Sequence, residues 1–170
     1  MPDLTIRREI PALEELSAVR SANTAAFGRP DEADLVNSLR AEGAVLLSLV
    51  AELDNRVVGH ILFSRMCIET LDASIHAAAL APLAVRPEHQ RQGIGGQLIR
   101  YGLNLLCERG ECIVIVLGHP DYYARFGFSC EKARFLESPF PPEAFMAQEL
   151  VPGALAGIRG KVRYPAAFGL

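Results

Sequence analysis

The chain has 170 residues, 50% hydrophobic and 22% charged, with 17 Lys+Arg against 20 Asp+Glu and a formal net charge of −3. That length fits one globular domain of about 150 residues, and the slight excess of acid argues against a dedicated nucleic-acid binder, which carries a net basic face. The longest apolar block, Ala77 to Val85, is half of the ~18 residues that span a bilayer, and the start of the chain lacks a basic stretch followed by an apolar core; neither a membrane span nor a secretory signal is expected, which leaves the cytoplasm.

In chain order, Leu4 to Arg8 alternates apolar and polar residues as a short strand does. Ala12 to Ala26 then reads as a helix with Leu13, Leu16 and Val19 on its apolar face and Asn23 beyond. Asp31 is the expected N-cap of a second helix through Ala41, with Asp34 in its first turn, Gly43 as its stop, and Leu35, Val36 and Leu39 inward. Val45 to Glu52 and Arg56 to Glu69 are rich in β-branched and aliphatic residues and flank Asp54-Asn55, which predicts a hairpin.

Ala77 to Val85 is apolar on both faces, as in a central strand, yet contains Pro82. Proline donates no ladder hydrogen bond, so the sheet is expected to be unpaired or bulged there, a local opening. Ile94 to Arg109 has helical spacing through Ile94, Leu98, Tyr101 and Leu105, with Gly102 allowing close approach and Gly110 ending it. Cys112 to Leu117 is a second buried strand, Asp121 to Phe126 a short helix closed by Gly127, and Lys161 to Tyr164 a last strand in a tail that holds five of the 11 prolines.

Cys67, Cys107, Cys112 and Cys130 lack C-x-x-C spacing and are expected to be small buried hydrophobes. His60, His76, His89 and His119 are dispersed, so no metal site is predicted. With 7% aromatic residues and no Trp, a stacking platform for single-stranded nucleic acid is also unsupported.

The segment with chemistry runs from Val85 to Gly96. It joins a buried strand to an amphipathic helix and reads Val-Arg-Pro-Glu-His-Gln-Arg-Gln-Gly-Ile-Gly-Gly. A helix start leaves N–H groups without intrahelical acceptors and carries partial positive charge, and glycines let a phosphate approach the main chain. Arg86, His89, Arg91 and Arg100 add basic character opposed only by Glu88. A Walker loop would need Gly-Lys followed by Ser or Thr, whereas Gln97 and Leu98 follow the glycines here. A dinucleotide fingerprint would come early in the chain and carry a third glycine where Leu98 stands.

Gln90-Arg91-Gln92-Gly93-Ile94-Gly95, preceded by Val85-Arg86-Pro87, resembles the Q/R-x-x-G-x-G/A signature and V-x-P element of the GNAT superfamily of N-acetyltransferases. A second block, from Leu117 to Phe128, resembles the family's later motif, in which a Tyr precedes a Gly-Phe pair by four residues. Its G-x-P-x-Y-Y-x-R-F-G-F form, with the tail from Pro142 to Pro165, is similar to the YhbS-like branch in particular.

The resemblance implies one N-acetyltransferase domain over residues 1–170, of mixed α/β (α+β) class. Its mostly antiparallel sheet would be splayed between two central parallel strands, with helices on both faces. It implies acetyl-CoA as donor and a small-molecule or peptide amine as acceptor, in a monomer or homodimer with no nucleic-acid or membrane partner. Its further implication is that the amides of Arg91, Gln92, Gly93, Ile94, Gly95 and Gly96 hold the pyrophosphate, with the Gln90 side chain at the loop entrance. Leu83, Ala84 and Val85 would pair with the pantetheine arm, and Phe126 would brush the cofactor. A backbone N–H, that of Leu83, would stabilise the oxyanion.

Acetyl transfer to an amine needs a neutral nitrogen and benefits from a donor to the departing thiolate. Tyr123 matches the family's acid position, and a hydrogen bond from it to the sulfur is expected in preference to full proton transfer; Tyr122 is read as packing. No carboxylate lies in Ala77 to Val85, which leaves His60, Glu69, Asp72, His76 and His119 as candidate bases. His119 follows a buried strand at its carboxyl end, where α/β sites lie. No histidine adjoins Cys67 or Cys107, so direct attack in a ternary complex is expected over an acetyl-enzyme. The lack of a strand carboxylate keeps open a CoA-binding module without turnover, as well as an enzyme for a different acyl-CoA.

Overall fold

A computed structural model describes residues 3–170. Among the described residues, eight strands form one sheet: β1 (Leu4–Arg8), β2 (Val45–Leu53), β3 (Arg56–Glu69), β4 (Ser74–Val85), β5 (Ile113–Leu117), β6 (Leu136–Glu137), β7 (Phe145–Glu149) and β8 (Gly160–Arg163). The order is β1-β2-β3-β4-β5-β7, with β8 pairing β3 and β6. The helices are α1 (Leu13–Phe27), α2 (Asp31–Ala41), α3 (Ile94–Glu108) and α4 (Pro120–Tyr123). The expected mixed sheet is present: β4–β5 and β6–β8 are parallel, whereas β1–β2, β3–β8 and β5–β7 are antiparallel.

The chain divides into two compact units, one comprising residues up to Phe63 together with Ala81–Gly102, the other Ser64–Leu80 together with Leu103–Leu170. In the first unit, Asp54 (φ 49°) and Asn55 (φ 61°) both take left-handed geometry, as the expected hairpin between β2 and β3 requires. Pro30, not Asp31, occupies the N-cap of α2, and Asp31 is the first helical residue. Asp31, Glu32 and Asp34 therefore favour this helix start through their charge in its first turn, without a side-chain cap.

Two apolar assignments also differ from the sequence reading. Leu13, at the first residue of α1, is 87% exposed, while Val19, Ala22 and Asn23 are buried. Tyr101 is 43% exposed because the buried stripe of α3 runs through Ile94, Leu98 and Ile99, leaving Tyr101 on its flank. Gly102 makes the expected close approach: a Cβ there would lie 2.4 Å from Phe63 Cε2.

In the second unit Met66, Ile68, Ala77, Ala79, Ile113 and Ile115 share an apolar cluster with Leu136, Phe145, Ala147, Leu155 and Val162. β7 pairs with β5 from Ile113↔Glu149 to Leu117↔Phe145. β6 and β7 have no strand signal in the proline-rich tail, and β8 both begins and ends one residue earlier than the expected Lys161 to Tyr164. The cysteines are free thiols, but they are not fully buried: Cys107 is exposed and Cys67, Cys112 and Cys130 are half-buried. The registered β4–β5 pairs run from Ala78↔Val114 to Leu80↔Val116, and Pro82 follows two residues later.

The Gly102–Phe63 contact is tight enough to test. Gly102→Ala should cost about 1–3 kcal/mol through overpacking, read as a lower urea midpoint with an unchanged slope.

Candidate active site

Leu83, Ala84 and Val85 close β4, with Ala84 buried and its neighbours half-buried. Arg86 ties the exit of this strand to β3: its N–H donates to Val58 O at 2.8 Å, its Nε to Val57 O at 3.2 Å, and its guanidinium to Ser21 Oγ at 2.8 Å. A single 3-10 turn over Pro87–His89 follows. The Gln90 side chain folds back, Nε2 donating to Val85 O at 2.9 Å, so it braces the loop against the strand. The chain then turns through Arg91 (φ 62°) and Gly93 (φ 82°) into α3. Gln97 N–H donates to Gly93 O at 3.1 Å. The N–H groups of Ile94, Gly95 and Gly96, in the first turn, have no acceptor within the helix, and the aligned dipole adds positive character. Arg91, Gln92 and Gly93 are exposed, so this loop is open to an anionic ligand.

The second group of predicted residues lies after β5. Pro120 starts α4, and the His119 carbonyl accepts N–H bonds from Tyr122 and Tyr123, both at 3.1 Å. The His119 side chain is exposed. Tyr123 packs closely on Gly118, where an added Cβ would lie 2.5 Å from Tyr123 Cε2. Its ring meets those of Tyr122 at 5.0 Å and Phe128 at 5.8 Å, both edge-on. Burial, with a smaller effect from neighbouring Tyr122, pushes the Tyr123 phenol up to about 12, so the group is a neutral O–H donor at physiological pH. Phe126 is buried, with its ring 5.5 Å from that of Tyr122.

A family model described as an acetyltransferase (GNAT) domain matches residues 9–130. The chain belongs to the GNAT acetyltransferase family. It is 43% identical over 137 residues to the uncharacterized N-acetyltransferase YjhQ of Escherichia coli K12, covering 78% of this chain and 76% of that protein. Against the uncharacterized N-acetyltransferase YhbS of the same organism, identity is 35% over 164 residues, covering 95% and 96%. The crystal structure of YhbS from E. coli in complex with CoA matches with a TM-score of 0.90 at 33% identity, over 100% of this chain and 94% of that one. A GNAT acetyltransferase from Brucella melitensis in complex with acetyl-CoA matches with a TM-score of 0.81 at 36% identity, over 98% of each.

The surroundings of the candidate bases in this GNAT chain sort them. Glu69 is held by Arg163, whose Nε donates at 2.9 Å, and Asp72 lies in an exposed turn where its N–H donates to Thr70 Oγ1 at 3.3 Å. His76 and His119 are exposed. His60 is fully buried, with Nδ1 3.0 Å from Asn23 Nδ2 and Nε2 2.8 Å from Ser48 Oγ. Ser48 donates to Glu9, which also accepts from Arg40. This chain assigns the tautomer: His60 Nε2–H donates to Ser48 and Nδ1 accepts from Asn23. Burial, helped by the Arg40 charge, lowers the imidazole to about 3, so His60 is a structural core histidine that stays neutral.

Sequence reasoning missed Lys132 and Gln148, whose side chains engage the turn after Tyr123. Gln148 Nε2 donates to Phe126 O at 2.8 Å and Lys132 Nζ to Gly127 O at 2.8 Å. Lys132 lies just beyond the motif that ends at Phe128, and Gln148 is too far from the turn in sequence for a short motif to join them.

The His60 environment makes stability depend on pH. Unfolding releases an imidazole of ordinary pKa, 6.5, so between that value and about 3 the unfolded chain binds a proton that the native chain does not. The contribution of His60 is complete above pH 6.5 and declines as pH falls, by about 1.4 kcal/mol per pH unit once uptake is full. His60→Gln should be less stable at pH 7 but show a shallower loss between pH 6 and pH 4 in urea titrations.

Proposed function

We propose that this chain transfers an acetyl group from acetyl-CoA to a primary amine, of a small molecule or of a peptide, by direct attack in a ternary complex. The observation that carries the proposal is the Arg91–Gly96 loop at the start of α3, exposed through Gly93 and following a strand whose registered pairing to β5 ends at Leu80, before Pro82. The bound CoA and acetyl-CoA of its two structural relatives support the choice of donor. No helix among the described residues is long and apolar enough to cross a membrane. We place the enzyme in the cytoplasm and treat residues 1–170 as one acetyltransferase domain.

In this reading the loop amides from Arg91 to Gly96 take the pyrophosphate, and the backbone of Leu83, Ala84 and Val85 takes the pantetheine amides. Gln90 keeps the loop braced to Val85. The amine nitrogen attacks the thioester carbon, and the Leu83 N–H receives the developing oxyanion. The tetrahedral intermediate then collapses, breaking the C–S bond. The amine surrenders its proton to a base, for which His119 is the candidate at the carboxyl end of β5.

Tyr123 serves the departing sulfur. With its phenol at about 12 and a thiol near 8.5, full proton transfer would be uphill by roughly 5 kcal/mol. A hydrogen bond from the neutral hydroxyl to the thiolate is therefore the stabilising interaction, and protonation of the sulfur is completed from solvent.

Acetyl-CoA at a hundred times its dissociation constant should stabilise the folded chain by about 2.7 kcal/mol in a thermal-shift measurement, and no shift at millimolar ligand would refute the donor assignment. Gly95→Leu should weaken CoA binding by obstructing phosphate approach, read directly by titration calorimetry. Tyr123→Phe should reduce thiol release with a panel of primary amines by about 10²-fold while CoA affinity stays within about twofold.

A further inference from the structure

We infer that Gln148 and Lys132 form a clamp that positions the Tyr123 hydroxyl for catalysis. This inference rests on the role proposed above for Tyr123. Its evidence lies in how the turn after Tyr123 is held.

The turn runs from α4 through a 3-10 segment, Ala124–Phe126, to Gly127 (φ 86°) and Phe128. Such a reversal exposes carbonyls that no helix or strand satisfies. Here they are met by side chains from elsewhere in the second unit. Gln148 Nε2 donates to Phe126 O at 2.8 Å. Lys132 Nζ donates to Gly127 O at 2.8 Å and to Gln148 Oε1 at 3.0 Å, which fixes the amide with its nitrogen toward the turn. The Gln148 amide occupies the space that a side chain at residue 127 would need, its Nε2 lying 2.0 Å from an ideal Cβ there. Glycine at 127 thus serves both the left-handed turn and the seat of the clamp.

The clamp has a fixed base. Gln148 lies on β7, where it is registered opposite Val114 of β5, and the Lys132 backbone N–H donates to Ser129 Oγ at 3.1 Å. On the far side of the turn, Phe128 N–H donates to Tyr123 O at 3.3 Å, and the two rings pack edge-on. The path from sheet to Tyr123 therefore alternates hydrogen bonds with short stretches of main chain: β5 to β7, Gln148 to the turn, and the turn to the Tyr123 backbone, with the Phe128 ring against that of Tyr123. A donor to a thiolate must be placed to within a fraction of an ångström, and misplacement by about 1 Å is enough to cost about 10²-fold in rate. Local propensity cannot supply that accuracy in a helix as short as α4, which has four residues.

Gln148→Met retains the length of the side chain but removes its donor and acceptor. It should lower kcat for thiol release from acetyl-CoA, with the best amine of the panel, by on the order of tenfold, while KM for acetyl-CoA stays within about twofold. Gln148→Glu keeps the Lys132 partner but presents a carboxylate to Phe126 O and should lose at least as much. Lys132→Arg, which can still donate to both oxygens, should retain most of the activity that Lys132→Met loses.

The decisive comparison is a double-mutant cycle. In a Tyr123→Phe background, Gln148→Met should have no further effect on kcat, because there is no hydroxyl left to position. Wild-type kcat in Gln148→Met alongside impaired Tyr123→Phe would overturn the clamp and leave the Tyr123 role standing. Additive losses in the double variant would assign Gln148 to general stability. Normal turnover in Tyr123→Phe would overturn both assignments. A second measurement needs no acceptor: with tyrosine ring carbons labelled with ¹³C, the Tyr123 titration should move from about 12 toward 10 in Gln148→Met as the ring loosens into solvent, and an unchanged titration would refute the clamp.

Discussion

A proline two residues beyond the last registered pair of a parallel ladder is the constraint from which the reading of the site follows. β4 pairs with β5 over Ala78, Leu80 and the residue between them, and Pro82 then brings a peptide nitrogen with no hydrogen to donate. A central strand normally uses its backbone groups on both edges. Here the segment from Leu83 to Val85 lies past the end of that ladder, immediately ahead of a loop that presents N–H groups and a helix dipole. Strand and loop are consecutive in sequence, so one short stretch of chain supplies both an extended backbone and an anion-binding turn.

Hydrogen bonds to β3 stiffen this stretch. Arg86 donates from its backbone and side chain to Val58 and Val57, and Gln90 reaches back to Val85. These bonds fix the approach to the loop without occupying the amides of its helix start. The basic side chains thus divide the work. Arg86 is structural, whereas the exposed Arg91 is free to face solvent or an anion. An acidic protein can hold a highly anionic ligand in this way, since the attraction is local and short-ranged.

Much of the fold was legible because the local signals agreed with the tertiary outcome. The β2–β3 hairpin follows from Asp54-Asn55, and β5 and α3 follow from apolar period and terminal glycines. The pattern failed where neighbours decide burial. Leu13 continues the apolar period of α1 but sits at the first residue, where nothing covers it. β7 reads as an unremarkable Phe-Met-Ala-Gln-Glu between turns, and it is a strand because β5 offers it an edge. The site divides in the same way. Gly93, Gly95 and Tyr123 announce themselves through short-range motifs, whereas Gln148 matters only through contacts with a turn distant in sequence, and Lys132, though near that turn, only through the carbonyl and amide it meets. His60 stood among candidate bases by residue type alone, and its buried partners removed it.

The hydrogen-bonded series Arg40, Glu9, Ser48, His60 and Asn23, which runs from half-buried to fully buried positions, also bears on how this sequence can drift. Each hydrogen bond in it has a fixed direction, set by the donation from Ser48 to Glu9. Replacing one group by an apolar residue leaves its neighbour with an unanswered donor or acceptor in the interior, and the penalty falls on a position that has not itself changed. The five positions, spread over two helices, two strands and the turn after β1, are therefore tied as an inherited set. Relatives should either retain the series or replace several members together, and intermediates that lose a single member should be rare.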